Sequence, residues 1–146
     1  MIVNNKHTDL LNQLNHIIHP WRKFLIAIDG HMGTGKSGLS RYLSLELDMP
    51  SVETDMLINL SEEQPNYRLN DLKSLVMARH NQNWPVIVEG VFLLDTLNKL
   101  NIDPDYLIFM THKKERSEKD LRNYFEEYKP RMKAHYIFDT TDFIYL

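Results

Sequence analysis

The sequence predicts an α/β fold: a five-stranded parallel sheet with helices on both faces. Three observations predict it. Apolar, strand-like runs alternate with helix-periodic segments five times, and parallel neighbours need crossover connections of that kind. The first run, FLIAID, leads directly into the glycine-rich GHMGTGKS and from there into a helical pattern. Acidic residues follow the strand-like runs, and in such sheets ligands sit beyond the carboxyl ends of the strands.

The elements follow in order. Residues 8–18, TDLLNQLNHII, place Leu10, Leu11, Leu14, Ile17 and Ile18 on one helical face. Thr8 or Asp9 is the expected cap, and His19 and Pro20 end the helix. FLIAID is a short apolar run bounded by glycine, hence a buried strand. After the glycine loop, Leu39, Tyr42, Leu43 and Leu47 recur at helical spacing until Asp48 and Pro50. SVET is a short second strand. Residues 57–69 are polar and contain Pro65, which predicts a loop with at most one helical turn. Leu69, Leu72, Leu75 and Val76 predict a helix ending near Asn81 to Asn83, Pro85 introduces the strand VIVEG, and VFLLDTLNKL is a well-covered helix. PDYLIFM is the fourth strand, and Leu121, Tyr124, Phe125 and Tyr128 mark an amphipathic helix. Pro130 interrupts that pattern, and TDFIYL is the expected fifth strand. The 146 residues fit one domain, 1–146, with the helical segment 1–20 packed on it.

Composition narrows the function classes. Hydrophobic residues make up 42% of the chain, enough for a core. Seventeen Lys+Arg stand against 20 Asp+Glu, and the densest basic cluster is only Lys113, Lys114 and Arg116. Nucleic acid is therefore not the expected partner. The absence of cysteine excludes disulfides and thiolate metal sites. No apolar run approaches the roughly 20 residues needed to cross a bilayer, and the N-terminus lacks a signal-peptide core. The expectation is a soluble cytoplasmic protein with no membrane partner.

GHMGTGKS matches G-x-x-x-x-G-K-[ST] over residues 30–37, between a strand and a helix, which is the context its chemistry needs. Glycines let the backbone curl so that its amides, together with the helix N-terminus, form a nest for anionic oxygens. The expected phosphate contacts are the loop and first helical residues Gly30, His31, Met32, Gly33, Thr34, Gly35, Lys36, Ser37 and Gly38. Lys36 adds a point charge that can reach the β- and γ-phosphates, and the Ser37 hydroxyl can ligate Mg²⁺ between them. The D-x-x-G and N-K-x-D elements of GTPases do not occur.

Asp55 follows the second strand, where a carboxylate can accept a proton from an attacking hydroxyl or hold Mg²⁺. Glu53 is the weaker candidate, because strand alternation turns it away from its neighbours Val52 and Thr54. Glu89 closes an apolar strand, and a buried carboxylate needs a metal, a lysine or a polar ligand nearby. Metal ligands are thus expected among Ser37, Asp55 and Glu89. Arg116, Arg122 and Arg131 follow the fourth strand, where an arginine on a lid can neutralise charge on a transferred phosphoryl group. Arg116 and Arg122 are preferred because they lie closer to the strand end. His16 and His19 are three apart but find no third ligand. Tyr124, Phe125 and Tyr128, at helical spacing, are core rather than a base-stacking platform.

Taken together, IDGHMGTGKS after an amphipathic helix, TD after the second strand, VIVEGVFLL after the third and YLIFMTHKKER resemble the uridine kinase-like branch of small P-loop kinases, over about residues 20–146. The resemblance implies a three-layer P-loop NTPase fold with strand order 2-3-1-4-5. It implies transfer of the γ-phosphate of ATP, with Mg²⁺, to a hydroxyl of a small acceptor, a nucleoside being the leading choice. It assigns Gly33, Gly35, Lys36 and Ser37 to the triphosphate and metal, Asp55 to acceptor activation, Glu89 to the site, and Arg116 and Arg122 to the lid. Met56 and Leu57 stand where that branch has a second acid and an aromatic. Residues 56–69 are expected to be too short for its nucleoside-enclosing hairpin. The alternatives are a nucleotide-binding module without transfer and a nucleoside monophosphate kinase.

Overall fold

The computed structural model describes residues 2–59, 66–114 and 118–143. Helix α1 (Asn5–Ile17) leads into strand β1 (Leu25–Gly30), helix α2 (Lys36–Leu47) and strand β2 (Ser51–Glu53). A 3₁₀ turn (Thr54–Leu57) precedes two short strands, β3 (Ile58–Asn59) and β4 (Asn66–Tyr67). Helix α3 (Leu69–His80), strand β5 (Val86–Glu89), helix α4 (Leu93–Lys99) and strand β6 (Tyr106–Thr111) follow. Helices α5 (Lys119–Tyr128) and α6 (Pro130–Lys133) then lead to β7 (Tyr136–Asp139).

Five strands form one parallel sheet in the order β2-β5-β1-β6-β7. The fold class is the expected α/β, but chain numbering departs from 2-3-1-4-5. The reason is the antiparallel pair β3–β4, which pairs Ile58 with Tyr67 and Asn59 with Asn66 and occupies a segment expected to be loop. With that hairpin set apart, the sheet strands run 2-3-1-4-5 in chain order. Strands of two residues each carry no readable alternation; the pairing is made by tertiary contacts such as Arg68 N–H to Leu57 O at 2.7 Å.

Strand alternation divides the core. Ile26, Ile28, Ile87, Ile108 and Phe138 face α1 and α2, meeting Leu10, Leu14, Ile18, Leu39 and Leu43. Leu25, Ala27, Val86, Val88 and Leu107 face Leu72 and Val76 of α3, Leu93 and Leu97 of α4, and Leu121 and Tyr124 of α5. Helix α1 and its C-cap Ile18 therefore contribute three fully buried residues to the core.

Two further expectations are corrected. Helix α1 is capped by Asn4, not by Thr8 or Asp9: the Asn4 side chain accepts the Lys6 amide at 3.0 Å, and the His7 ring returns to the Asn4 amide. The helix starts a turn early because His7 is buried against Tyr42, Phe138 and Phe143. Ile17, one residue off the Leu10–Leu14–Ile18 stripe, is exposed. The fifth sheet strand is Tyr136–Asp139 and not TDFIYL. Both are short aromatic runs, and pairing with β6 (Phe109 beside Ile137, Met110 beside Phe138) selects the earlier one. Residues 141–143 consequently lie beyond the sheet's carboxyl edge, and residues 144–146 lie outside the described part. Among the described residues no helix is long and apolar enough to cross a membrane.

Candidate functional site

The carboxyl edge of the sheet gathers the chemistry. Strand β1 sits between β5 and β6 and runs directly into the glycine loop. Gly30 has φ +148° and lies against β6, where a Cβ would run into the Met110 carbonyl. A side chain there is excluded both by space and by backbone conformation. Helix α2 opens on Gly35, which supplies no capping side chain, so the first-turn amides face the loop and its cradle.

Lys36 is buried, with 7% of its surface exposed. Its ammonium donates to the carbonyls of Gly30 (3.1 Å) and His31 (2.5 Å), folding the side chain back over the loop. Burial pushes its pKa below the usual lysine value, while Glu89, Asp29 and Asp55 push it back up. A ligand phosphate would add to the second group of effects. Thr34 Oγ1 also donates to the His31 carbonyl, at 2.8 Å. The His31 ring is buried on Phe125, with centroids 4.5 Å apart, whereas Met32 is 64% exposed. Gly33 and Gly35 are exposed, and Gly38 is half-buried in the first turn of α2.

Ser37 and Glu89 meet as the sequence suggests: the Ser37 hydroxyl donates to Glu89 Oε1 at 2.9 Å. Glu89 is only 3% exposed, and burial raises its pKa against the opposing effects of Ser37 and Lys36. Asp55 lies in the 3₁₀ turn after β2, with an exposed side chain that acts electrostatically on Lys36. Gly90 lets this turn close on β5, since a Cβ there would run into the Thr54 side chain. One carboxylate oxygen from each of Glu53, Asp55 and Glu89 lies within 4.8 Å of the others.

Glu53 corrects an expectation. Its Cα lies in register with Glu89 on the adjacent parallel strand, as Val52 does with Val88. Register partners share a sheet face, so alternation places Glu53 beside Glu89 rather than away from the site. Arg41 of α2 holds it with a fork, Nε to Oε1 at 2.5 Å and Nη2 to Oε2 at 2.9 Å.

Of the arginines expected after β6, two lie within the described residues. Arg116 lies outside the described residues. Arg122 is an exposed residue of α5. Arg131 donates to Thr111 Oγ1 at 3.1 Å and stacks over Phe109, which makes it a brace of β6. An open cleft of 760 Å³ lies beside the loop, lined by Met32, Gly33 and Thr34, by His112, Lys113 and Lys114 after β6, and by Thr141 and Phe143 after β7. The segment beyond the last strand thus forms one wall.

Sequence reasoning missed Asp29. This acid ends β1, is fully buried, and accepts hydrogen bonds from the Gly30 amide (2.8 Å) and the Tyr124 hydroxyl (2.5 Å). The same hydroxyl accepts the Leu94 amide at 2.9 Å. One carboxylate therefore ties the start of the loop to α5 and, through Tyr124, to α4. The signal was present: the desolvation argument applied to Glu89 applies equally to an acid inside FLIAID.

Burial raises the Asp29 pKa to about 6, against the Tyr124, Gly30 and Lys36 interactions that lower it. The folded protein therefore binds this proton more tightly than the unfolded chain does. The stability so contributed is complete below the unfolded value of 3.8 and is lost as pH rises through about 6. The loss is on the order of 3 kcal/mol for this group. Asp29→Asn is expected to flatten the stability profile between those limits. Denaturant unfolding of both proteins across the range checks it, and parallel profiles would contradict it.

No protein-family model matches the chain, and no curated protein matches it. Among solved structures, the chain superposes on a possible uridine kinase from Bacillus stearothermophilus with a TM-score of 0.67 at 17% identity, covering 92% of this chain and 98% of that one. A shikimate kinase from Aquifex aeolicus matches with a TM-score of 0.49 at 21% identity, over 80% and 85% of the two chains. A sugar kinase from Janibacter sp. HTCC2649 matches with a TM-score of 0.45 at 13% identity, over 71% and 66%. The first of these shows that the chain shares its fold.

Proposed function

We propose that the protein is an ATP-dependent phosphotransferase that moves the γ-phosphoryl group to a hydroxyl of a small acceptor, with a nucleoside as the first choice. The observation that carries this reading is the convergence of Lys36 and Ser37 of the loop with Asp55 and Glu89 at one edge of the sheet. A phosphate-binding loop alone supports binding; a loop facing carboxylates supports transfer.

The triphosphate would lie on the loop amides, with Lys36 turning from the Gly30 and His31 carbonyls to the β- and γ-oxygens. The base and ribose would extend into the 760 Å³ cleft between the loop and the segments after β6 and β7. Asp55 would orient the acceptor hydroxyl and take its proton, holding it in line with the leaving ADP. The β3–β4 hairpin follows Asp55 directly and is tied to the segment after β5 by Tyr67 Oη to Val91 O at 3.2 Å. It would form the acceptor wall, which favours an enclosed acceptor such as a nucleoside.

The donor set also fits Mg²⁺. Ser37, Asp55 and Glu89 offer only oxygen, and Mg²⁺ takes one or two carboxylates together with substrate phosphates. Bound there, the ion would neutralise charge between the β- and γ-phosphates. Ser37 and a carboxylate would hold it, while Glu89 gives up its present bond from the serine hydroxyl.

The test is ATP consumption by the purified protein across nucleosides, nucleotides and sugars. Consumption that depends on one acceptor class supports the reading, and the class that responds names the substrate. Tight ATP binding with no transfer to any of them would instead support a nucleotide-binding module. Preference for nucleoside monophosphates would support the monophosphate-kinase alternative.

A further inference from the structure

Helix α2 presents two side chains to the ends of two neighbouring strands. Ser37 and Arg41 are four residues apart, so they lie on one face of the helix. Their partners, Glu89 and Glu53, are register neighbours on β5 and β2. The result is a pair of rungs: Ser37 hydroxyl to Glu89, and Arg41 guanidinium to Glu53. The Arg41 fork meets both oxygens of Glu53, and Glu53 is the less accessible partner, with its side chain 13% exposed against 69% for Arg41. Without that fork, Glu53 would be a third carboxylate in a cluster that spans only 4.8 Å.

The geometry points to Arg41 as a selectivity-determining residue of the divalent-cation site: by occupying Glu53, it leaves two carboxylates without a guanidinium partner, Asp55 and Glu89, where the backbone assembles three. The inference rests on the cation site proposed above. Its physical basis is the difference between the ions. Mg²⁺ is small, demands octahedral geometry, loses water reluctantly and uses few carboxylates. Ca²⁺ accepts six to eight oxygens in flexible geometry and gains from each added carboxylate. Arg41 also offsets one negative charge beside the site. The arrangement therefore penalises the larger ion more than the smaller one.

Direct titration of nucleotide-free protein with CaCl₂ and with MgCl₂, followed by calorimetry, tests this. Arg41→Ala is expected to tighten Ca²⁺ binding about tenfold and Mg²⁺ binding no more than about twofold. Arg41→Ala/Glu53→Gln is expected to return both to wild-type values, because the freed carboxylate is gone. Arg41→Gln serves as a second variant that keeps the side-chain length, with circular dichroism confirming the fold. Unchanged Ca²⁺ affinity in both Arg41 variants overturns the inference, as does absence of Ca²⁺ binding by them up to about 10 mM. Tightening that persists in the double variant also overturns it. The readout needs neither nucleotide nor acceptor. Loss of the kinase reading therefore leaves this result interpretable, and a working kinase with unmoved Ca²⁺ binding refutes this inference alone.

Discussion

Asp55→Asn is expected to bind Mg·ATP within about threefold of wild type yet lose phosphoryl transfer by roughly 10²- to 10⁴-fold, the range for a general base. The split follows from position. Asp55 is an exposed residue of the 3₁₀ turn after β2 and does not belong to the glycine loop whose amides would hold the nucleotide. Asparagine matches its shape and leaves the strand register intact, so β2 and β5 keep their alignment. What it removes is the capacity to take a proton and one carboxylate beside the cation, while the loop, Ser37 and Glu89 would still hold the nucleotide and its ion. Single-turnover transfer to the acceptor found in the panel, with nucleotide affinity measured separately, reads the two effects apart. A variant that turns over at the wild-type rate removes Asp55 from the role. Equal losses in affinity and turnover would make it a nucleotide ligand instead.

Lys36→Ala is expected to weaken Mg·ATP binding on the order of 100-fold or more, the usual consequence of truncating one partner of a buried charge pair, and to abolish measurable transfer. Two features make the effect large. The ammonium is nearly enclosed, so its field at the phosphates is little screened. It is also the cation that Glu89 and Asp29 both feel, so its removal leaves two buried carboxylates facing an anionic ligand. The substitution also removes a desolvated charge from the folded protein, and these stability effects oppose each other. A thermal melt run beside the titration separates a folded variant that cannot bind from one that cannot fold. Wild-type affinity in a folded variant would contradict the assignment of Lys36.

Much of this site is legible in the chain because its parts are local. The run from Phe24 to Ser40 states strand, loop and helix without a gap, and sterics at Gly30 and the buried Lys36 follow from it. Glu89 is legible for a similar reason: an acid closing an apolar strand must find partners, and it finds Ser37. What local patterns do not carry is register. The position of Glu53 depends on which residue of β5 it lies beside, and alternation within one strand says nothing about that. The β3–β4 hairpin is hidden in the same way, since two-residue strands are defined by their partners. The choice between YIFD and TDFIYL was also made by β6 rather than by either segment. Asp29 is a different case. It was readable on the same desolvation argument as Glu89, and its partner Tyr124, at helical spacing and buried, gave no outward sign of the hydroxyl's role.

Nucleotide binding and transfer both depend on the turn after β1 being a seat for a polyphosphate. Isothermal titration of the folded wild-type protein with Mg·ATP and Mg·GTP, at about millimolar nucleotide, tests this most directly. The expected result is saturable heat at one site for Mg·ATP, abolished by Lys36→Ala. No heat from either nucleotide, with circular dichroism showing a folded protein, would contradict it.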